Sequence, residues 1–466
     1  MEKTLKQNKM GAMPIPKLML NMGVPMMISM MIQALYNVVD TYFVSQIPDT
    51  AAVAAMGDKA INALTLSSPI QMLMIALMVG IGIPSNTLMA KSLGRGDRER
   101  ANRVAGNALT LTVCIYVLFL LFGLFAAPAF IRSQTKDPVI AEMGITYLRI
   151  VTIFSMGGIG NMGIEKVEMG CGNTKATMAA QITGAVTNMV LDPIFIFGWL
   201  GLPAMGVRGA AIATVIGQCF ACLVLVYAHF VRNRSVDHGL KYLRPDKGIL
   251  KTVFSIGLPA TIMQILTPIM SYGMNLILGA FSTWAVTAFG VYYKLQYFVY
   301  MAGWGLNNAS IAITSFNFGA KSRERLNQSI QCAVGYMVII MVVGFGLLQI
   351  FARQLVGLFA IAPESADFCI HAVRIASWGL LLGGINVILP GICQALGNGV
   401  YSLIVSALRY VVVLLPLVFA FSRTSAAGTL VWAAFPLAEI AAFCVAVILT
   451  RRLYKQRVGS QGDFAG

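Results

Sequence analysis

The sequence predicts an all-α, polytopic membrane protein of twelve transmembrane helices in two pseudo-symmetric six-helix bundles. Three observations carry that expectation. The 466-residue chain is 58% hydrophobic and only 11% charged, against roughly 25% charged in a typical soluble domain. It breaks into twelve apolar stretches, each near or above the ~20 residues that cross a hydrocarbon layer as a helix. Short signatures also recur in the same order at a separation of about 225–235 residues.

The 52 charged side chains, 34 basic and 18 acidic, are too few to cover a soluble fold of this size. Abundant Leu, Ile, Val, Met and Phe exclude a disordered chain, and no period of 20–50 residues marks a solenoid. Between polar breaks the spans run over about 18–45, 61–89, 104–130, 140–164, 176–200, 209–231, 252–282, 285–316, 328–352, 370–394, 399–421 and 426–450. Short loops then remain, with no room for a further soluble domain.

A net charge of +16 would suggest nucleic acid if the basic residues shared one face. They lie instead between the spans. Twenty-four Lys and Arg fall on one side of the twelve-span reading, among them Lys3, Lys6, Arg98, Arg100, Arg234, Lys247, Arg325 and Arg451, and six on the other. Basic residues in short loops stay cytoplasmic, so both termini are expected in the cytoplasm of a cell with this protein in its plasma (inner) membrane. No small-residue cleavage site follows a short apolar core near the start, so the first span reads as uncleaved.

The repeat is specific. GRGDRERAN, Gly94 to Asn102, aligns with GAKSRERLN, Gly319 to Asn327; Gly23-Val24-Pro25 aligns with Gly257-Leu258-Pro259, and Gly172-Asn173 with Gly397-Asn398. Six spans per half, an even number, make the repeats parallel, and transporters built this way bind substrate near the midplane between halves. The expected organisation is a bundle over 1–231, a basic linker over 232–251 and a bundle over 252–466.

These residues resemble the multidrug and toxin extrusion (MATE) transporters, specifically their bacterial small drug-exporting branch. The carriers are VVDTYFVSQ around Asp40, SLGRGDRERA after span 2, GCGNTKATM from Gly170, NMVLDPIFIFG around Asp192, and GVRGAAIATVIGQ from Gly206; KLQYFVY from Lys294 and GLNNAS from Gly305 point to the branch. The resemblance implies a monomeric secondary antiporter, not an enzyme, that exports cationic amphipathic drugs or dyes from the membrane in exchange for Na⁺ or H⁺. It also implies that Asp40, Asn188 and Asp192 form the coupling site, with Thr214 a less certain member.

The residues support that site independently. An Asp at a helix centre costs roughly 2.5–3.5 kcal/mol on insertion scales, so Asp40 and Asp192 need a reason to be there. Gln33, Tyr36 and Asn37 lie 7, 4 and 3 residues before Asp40 and share its helical face; Asn188 lies one turn before Asp192. Pro193 supplies no N–H to the carbonyl of Met189. Two carboxylates, an amide, a hydroxyl and a freed carbonyl suit a Na⁺ ion or a shared proton; the alternative is plain hydrogen bonding between helices. At the repeat-related places stand Met274 and Leu415. Some MATE proteins carry a Glu in span 7 and an Asp in span 10, and neither is present, so no coupling site is expected in the second half.

Glu439 is the sole acid of the second-half spans, facing either Arg409 or Lys294 as an intramembrane ion pair. Tyr36, Phe154, Tyr293 and Lys294, with Gln33 and Asn37, are the expected cavity lining. Glu165, Lys166 and Glu168 read as an interfacial charge cluster. GIGNMG at Gly158 fits the dinucleotide pattern G-x-G-x-x-G without a preceding strand and reads as helix packing. The Cys219–Cys222 C-x-x-C lies on an apolar helix, and His229, His238 and His371 have no partners at metal-ligand spacing. No phosphate-binding G-x-x-x-x-G-K-[ST] loop occurs, so no nucleotide or other cofactor is expected. A lipid-linked precursor flippase or organic-anion exporter is the other transport reading, but only Lys294 and Arg409 would supply its basic lining.

Overall fold

A computed structural model describes residues 8–49, 55–233, 235–237, 239–359, 361 and 363–459; Lys3, Lys6, Arg234 and His238 lie outside them. Twelve long helical segments follow one another: α1 Ile15–Ser45, α2 Met56–Arg95, α3 Arg98–Arg132, α4 Pro138–Ile153 continuing as Met156–Gly170, α5 Thr174–Phe197 and α6 Val207–Arg232. The second series is α7 Lys247–Gly279, α8 Thr283–Gly319, α9 Arg323–Ile350, α10 Ser365–Ala395, α11 Gly399–Ser422 and α12 Ala427–Val458. No strand occurs among the described residues. Ten of the segments are long and apolar enough to cross a membrane unaided, and α4 makes an eleventh if its two parts are one span. The twelfth, α8, is 37 residues long but carries Lys294, Gln296 and a run of tyrosines, so its hydropathy is lower.

The helix ends follow local chemistry. Asp137 caps α4, its carboxylate accepting from the N–H groups of Val139 and Ile140 at 2.8 and 3.3 Å; Asn398 caps α11 by accepting from Tyr401 N–H at 3.1 Å. The uninterrupted span expected over 140–164 is bent by 45° between Ile153 and Met156. Thr152 Oγ1 donates to the carbonyl of Leu148 and Ser155 Oγ to that of Thr152, a competition with the helical ladder that bends helices.

The repeat extends to individual hydrogen bonds. After α2, Gly96 N–H donates to Leu93 O and Asp97 N–H to Ser92 O; after α8, Lys321 N–H donates to Phe318 O and Ser322 N–H to Asn317 O. Gly172 and Asn173 donate to Met169 and Glu168, as Gly397 and Asn398 donate to Gln394 and Cys393. All four turns have the paired closing bonds of a Schellman motif. Each requires a left-handed residue, supplied by Gly96, Gly172 and Gly397 and, at the fourth place, by Lys321 at φ +56°.

The chain divides into two compact units, residues 28–89 with 98–253, and residues 1–27 with 90–97 and 254–466. Two leader segments pack away from the helices they precede. The linker, although it precedes α7, lies on α3: Tyr242 O–H donates to Glu99 at 2.9 Å, Thr110 O–H to the carbonyl of Leu243 at 2.8 Å, and Asp246 N–H to Asn107 at 2.8 Å. The turn Lys9–Ala12, although it precedes α1, is held by Arg325 of α9, whose Nη2 donates to the carbonyls of Met10 and Met13 at 2.8 and 2.9 Å.

Within the second of these units the ends of α2 and α8 cross on their glycines. A side-chain carbon added at Gly94 would collide with the carbonyl of Phe316, and one at Gly319 with the carbonyl of Lys91; Gly94 and Gly319, like Lys91 and Phe316, are repeat-related pairs. The contact is thus two-fold symmetric at backbone distance. Gly94→Ala and Gly319→Ala should each lower stability by about 1–3 kcal/mol, the cost of overpacking a closed site. Gly346→Ala, where the added carbon meets open space, should melt like the parent. Thermal unfolding of the purified protein measures all three, and an unchanged melting curve for Gly94→Ala would contradict the contact.

Candidate functional site

In the unit containing residues 28–89 and 98–253, α5 and α6 approach closely because Gly184 faces Gly217. One turn further along α5, Asn188 meets Thr214 of α6: Nδ2 is 3.3 Å from Asp192 Oδ1 and 3.4 Å from Thr214 Oγ1. With its amide turned over, Asn188 donates to Asp192 Oδ2 at 2.8 Å and accepts from Thr214 N–H at 3.1 Å, which satisfies both ends better. Asn188, Asp192 and Thr214 are all buried.

Asp40 of α1 completes the group. Its carboxyl stands next to that of Asp192, and Tyr36, one turn before it, lies near Thr214. Two carboxylates offer only acceptors, so such a contact needs a proton on one of them or a cation between them. Asp40 Oδ1 is enclosed with no hydrogen-bond partner, a free acceptor at the centre of the site. Tyr147 of α4, with Gln71 Nε2 at 3.2 Å from its hydroxyl, stands close enough to feel both carboxyls. Sequence reasoning missed these two, since a Tyr or Gln in a span is no anomaly. Of the expected lining, Gln33 is half-buried, while Asn37 and Phe154 are exposed, Phe154 at the bend of α4.

The repeat-related place in the other unit is apolar: Gly273, beside the buried Met274, packs on the side chain of Leu415. That unit carries a different polar group. Arg409 Nε donates to Glu439 Oε1 at 2.6 Å, Nη1 donates to the hydroxyl of Tyr410 at 3.2 Å, and Nη2 to that of Tyr300. Asn386 Nδ2 donates to Glu439 Oε2 at 2.7 Å and to its carbonyl at 2.8 Å. Of the two cations considered, Arg409 meets Glu439; Lys294 is exposed, 5.7 Å from the ring centre of Phe359. A π-helical turn over Leu408–Val412 swings Arg409 inward, and Gly383 gives room, since a side chain there would strike Tyr300 Oη.

Glu165, Lys166 and Glu168 are not an interfacial cluster. All three are buried. Glu168 accepts from Asn173 and Asn233 at 2.6 and 2.7 Å and lies 2.7 Å from His229 Nδ1, a partner 61 residues away that spacing could not reveal. The discounted motifs meet at one point, where Gly160 of α4 receives Cys222 of α6, and Gly157, just before the glycine motif, receives Cys219. Among the described residues no group of three His, Cys, Asp or Glu could hold a metal.

Over residues 25–194 and 259–420 the chain matches the family model named MatE. The chain belongs to the MatE family. It is similar to the multidrug export protein MepA of Staphylococcus saprophyticus, 24% identical over 438 residues that cover 93% of this chain and 94% of the relative. A solved structure titled the outward-facing conformation of a multidrug resistance MATE family transporter of the MOP superfamily is 26% identical, with a TM-score of 0.87 and 97% of each chain covered. A MATE structure in the straight conformation matches equally, at TM-score 0.87 and 26% identity over 97% of each chain. The sequence resemblance to MATE transporters is therefore borne out, and the chain is a membrane transporter. Asp40, Asn188 and Asp192 fall inside the first matched MatE range and Arg409 inside the second, whereas Glu439 lies beyond it.

The Arg409–Glu439 pair yields a stability test. Glu439→Gln strands a buried guanidinium, which should cost about 3–5 kcal/mol. Combining it with Arg409→Met removes the stranded charge and should recover most of that loss in thermal unfolding. A double variant as unstable as the single one would show that the pair does not act as a unit.

Proposed function

We propose that this MatE protein exports cationic amphipathic compounds, working as a monomer in a plasma membrane with both termini cytoplasmic, in exchange for Na⁺ or H⁺. The observation that carries the proposal is the Asp40–Asp192 contact, present in one repeat and replaced by Met274 and Leu415 in the other. Export as a function is supported by the name of MepA, a multidrug export protein. The coupling chemistry follows from this chain's own residues. Asn188, itself bonded to Thr214, holds Asp192 in place, and Tyr36 brings α1 up to the same group, so a cation or proton entering between the carboxyls alters what fixes α1.

In the proposed cycle the ion neutralises the pair from outside, α1 shifts, and the drug leaves outward as the two bundles rock to expose the site alternately to each side. Linkage requires reciprocity: the ion weakens drug binding by the same factor as the drug weakens ion binding. Na⁺ and H⁺ are transported cargo here rather than resident cofactors.

Proteoliposomes loaded with a cationic dye and given an imposed Na⁺ or pH gradient provide the experiment. Efflux should follow one of the two gradients, and Asp40→Asn and Asp192→Asn should each bring it down to the leak rate of empty liposomes. Variants transporting like the parent would remove the acid pair from the coupling mechanism.

A further inference from the structure

The linker and the start of α7 carry positive charge that no acid answers. Over the described residues from 235 to 251 stand four basic side chains, Lys241, Arg244, Lys247 and Lys251, and two acidic ones, Asp237 and Asp246. All four basic side chains are exposed. Asp246 is engaged elsewhere: it caps α7 by accepting from the N–H groups of Gly248 and Ile249 at 2.8 and 3.1 Å, and lies 3.5 Å from Arg103. Glu99 of α3 is engaged too, 3.3 Å from Arg103 and accepting from Tyr242. Arg244, Lys247 and Lys251 therefore have no ion-pair partner among the described residues.

Apolar surface continues from that charge. Leu240 and Leu243 are three residues apart in a 3-10 turn, so they share one face; both are exposed, Leu240 at 82%, while Tyr242 turns inward onto α3. On α7, Lys247 and Lys251 stand one turn apart, and Phe254, Leu258, Ile262 and Ile265 follow at offsets of three and four on the same face, all exposed. Phe254 to Ile265 spans about 16 Å of helix, the depth of one leaflet of a ~30 Å hydrocarbon core.

The first repeat has the stripe without the charge. At the spacing that relates Gly23 to Gly257, Lys17 corresponds to Lys251, and Leu20, Val24, Ile28 and Met31 correspond to the four apolar residues, again all exposed. Met13 takes the place of Lys247, and Lys9 of that leader turn donates to Asn21 at 3.3 Å.

A cationic head above one leaflet's depth of apolar stripe matches a molecule with an anionic head and acyl tails. We propose that residues 240–265 bind an anionic phospholipid of the leaflet that the linker faces, its phosphate among Arg244, Lys247 and Lys251 and its acyl chains along Phe254, Leu258, Ile262 and Ile265. Each Lys or Arg at an anionic lipid surface adds to the attraction. Phosphatidylcholine gains less, because it brings its own ammonium among the same cations. The site needs the chain in a bilayer and is independent of drug and coupling ion.

Phosphatidylglycerol and phosphatidylcholine carrying the same diazirine-labelled acyl chain are the probes, each at low fraction in phosphatidylcholine nanodiscs that hold the full chain. After illumination, peptide mass spectrometry should find residues 254–265 labelled about fivefold more by phosphatidylglycerol, and residues 20–31 labelled with a smaller ratio. Lys247→Gln/Lys251→Gln, both on the surface, should bring the ratio on residues 254–265 close to one, whereas Lys17→Gln should leave it unchanged. Equal labelling of residues 254–265 by the two lipids, a ratio that survives the loss of both lysines, or the same ratio on residues 20–31 would overturn the proposal.

Discussion

A charge taken out of water into hydrocarbon must find compensation close by, and that single requirement organises the polar interior of this protein. At Asp40 and Asp192 no basic side chain among the described residues supplies it; the neighbours are Asn188, Thr214, Tyr36 and Tyr147. On the proposed reading, a proton or cation from outside the chain supplies the compensation there. At Glu439 the chain supplies it internally through Arg409, while Glu168 is held in hydrogen-bonding contact by His229 and two amides. The acid pair is therefore where we propose that a cation or proton is acquired and released.

The two repeats show how one template serves two purposes. Their turns close with the same hydrogen bonds at Gly96 and Lys321 and at Gly172 and Gly397, and the crossing of α2 and α8 is symmetric at Gly94 and Gly319. On that common frame the first repeat carries carboxyls where the second carries Met274 and Leu415. The second adds a neutral, internally paired polar group at Arg409 and Glu439. Exchange of the leaders, with the linker on α3 and the first turn on Arg325, ties each repeat's beginning to the unit formed mainly by the other.

Much of this was legible in the sequence, for identifiable reasons. Span number and the repeat are written in hydropathy and in glycine turns, which depend only on local chemistry. Asp40, Asn188 and Asp192 stood out because an acid in a span is costly and because a four-residue offset fixes the helical face. Thr214 was marked by family resemblance alone. What escaped depends on contacts between distant segments: Tyr147 and Gln71 beside the acids, His229 against Glu168, and the capture of the Met10 and Met13 carbonyls by Arg325. The bend of α4 and the π-helical turn at Arg409 also left no proline to announce them. The buried state of Glu165, Lys166 and Glu168 was misjudged because their position at a span end resembles a membrane interface, while the chain folds back over them.

The central claim is that the acid pair of the first repeat exchanges a cation or a proton against the drug. The most direct measurement is ion release: a saturating cationic drug is added to the purified protein in weakly buffered nanodiscs while pH and Na⁺ activity are followed. The account predicts release of about one H⁺ or Na⁺ per drug bound, and none from the Asp40→Asn/Asp192→Asn variant. Stoichiometric drug binding by the parent with no ion released would contradict it.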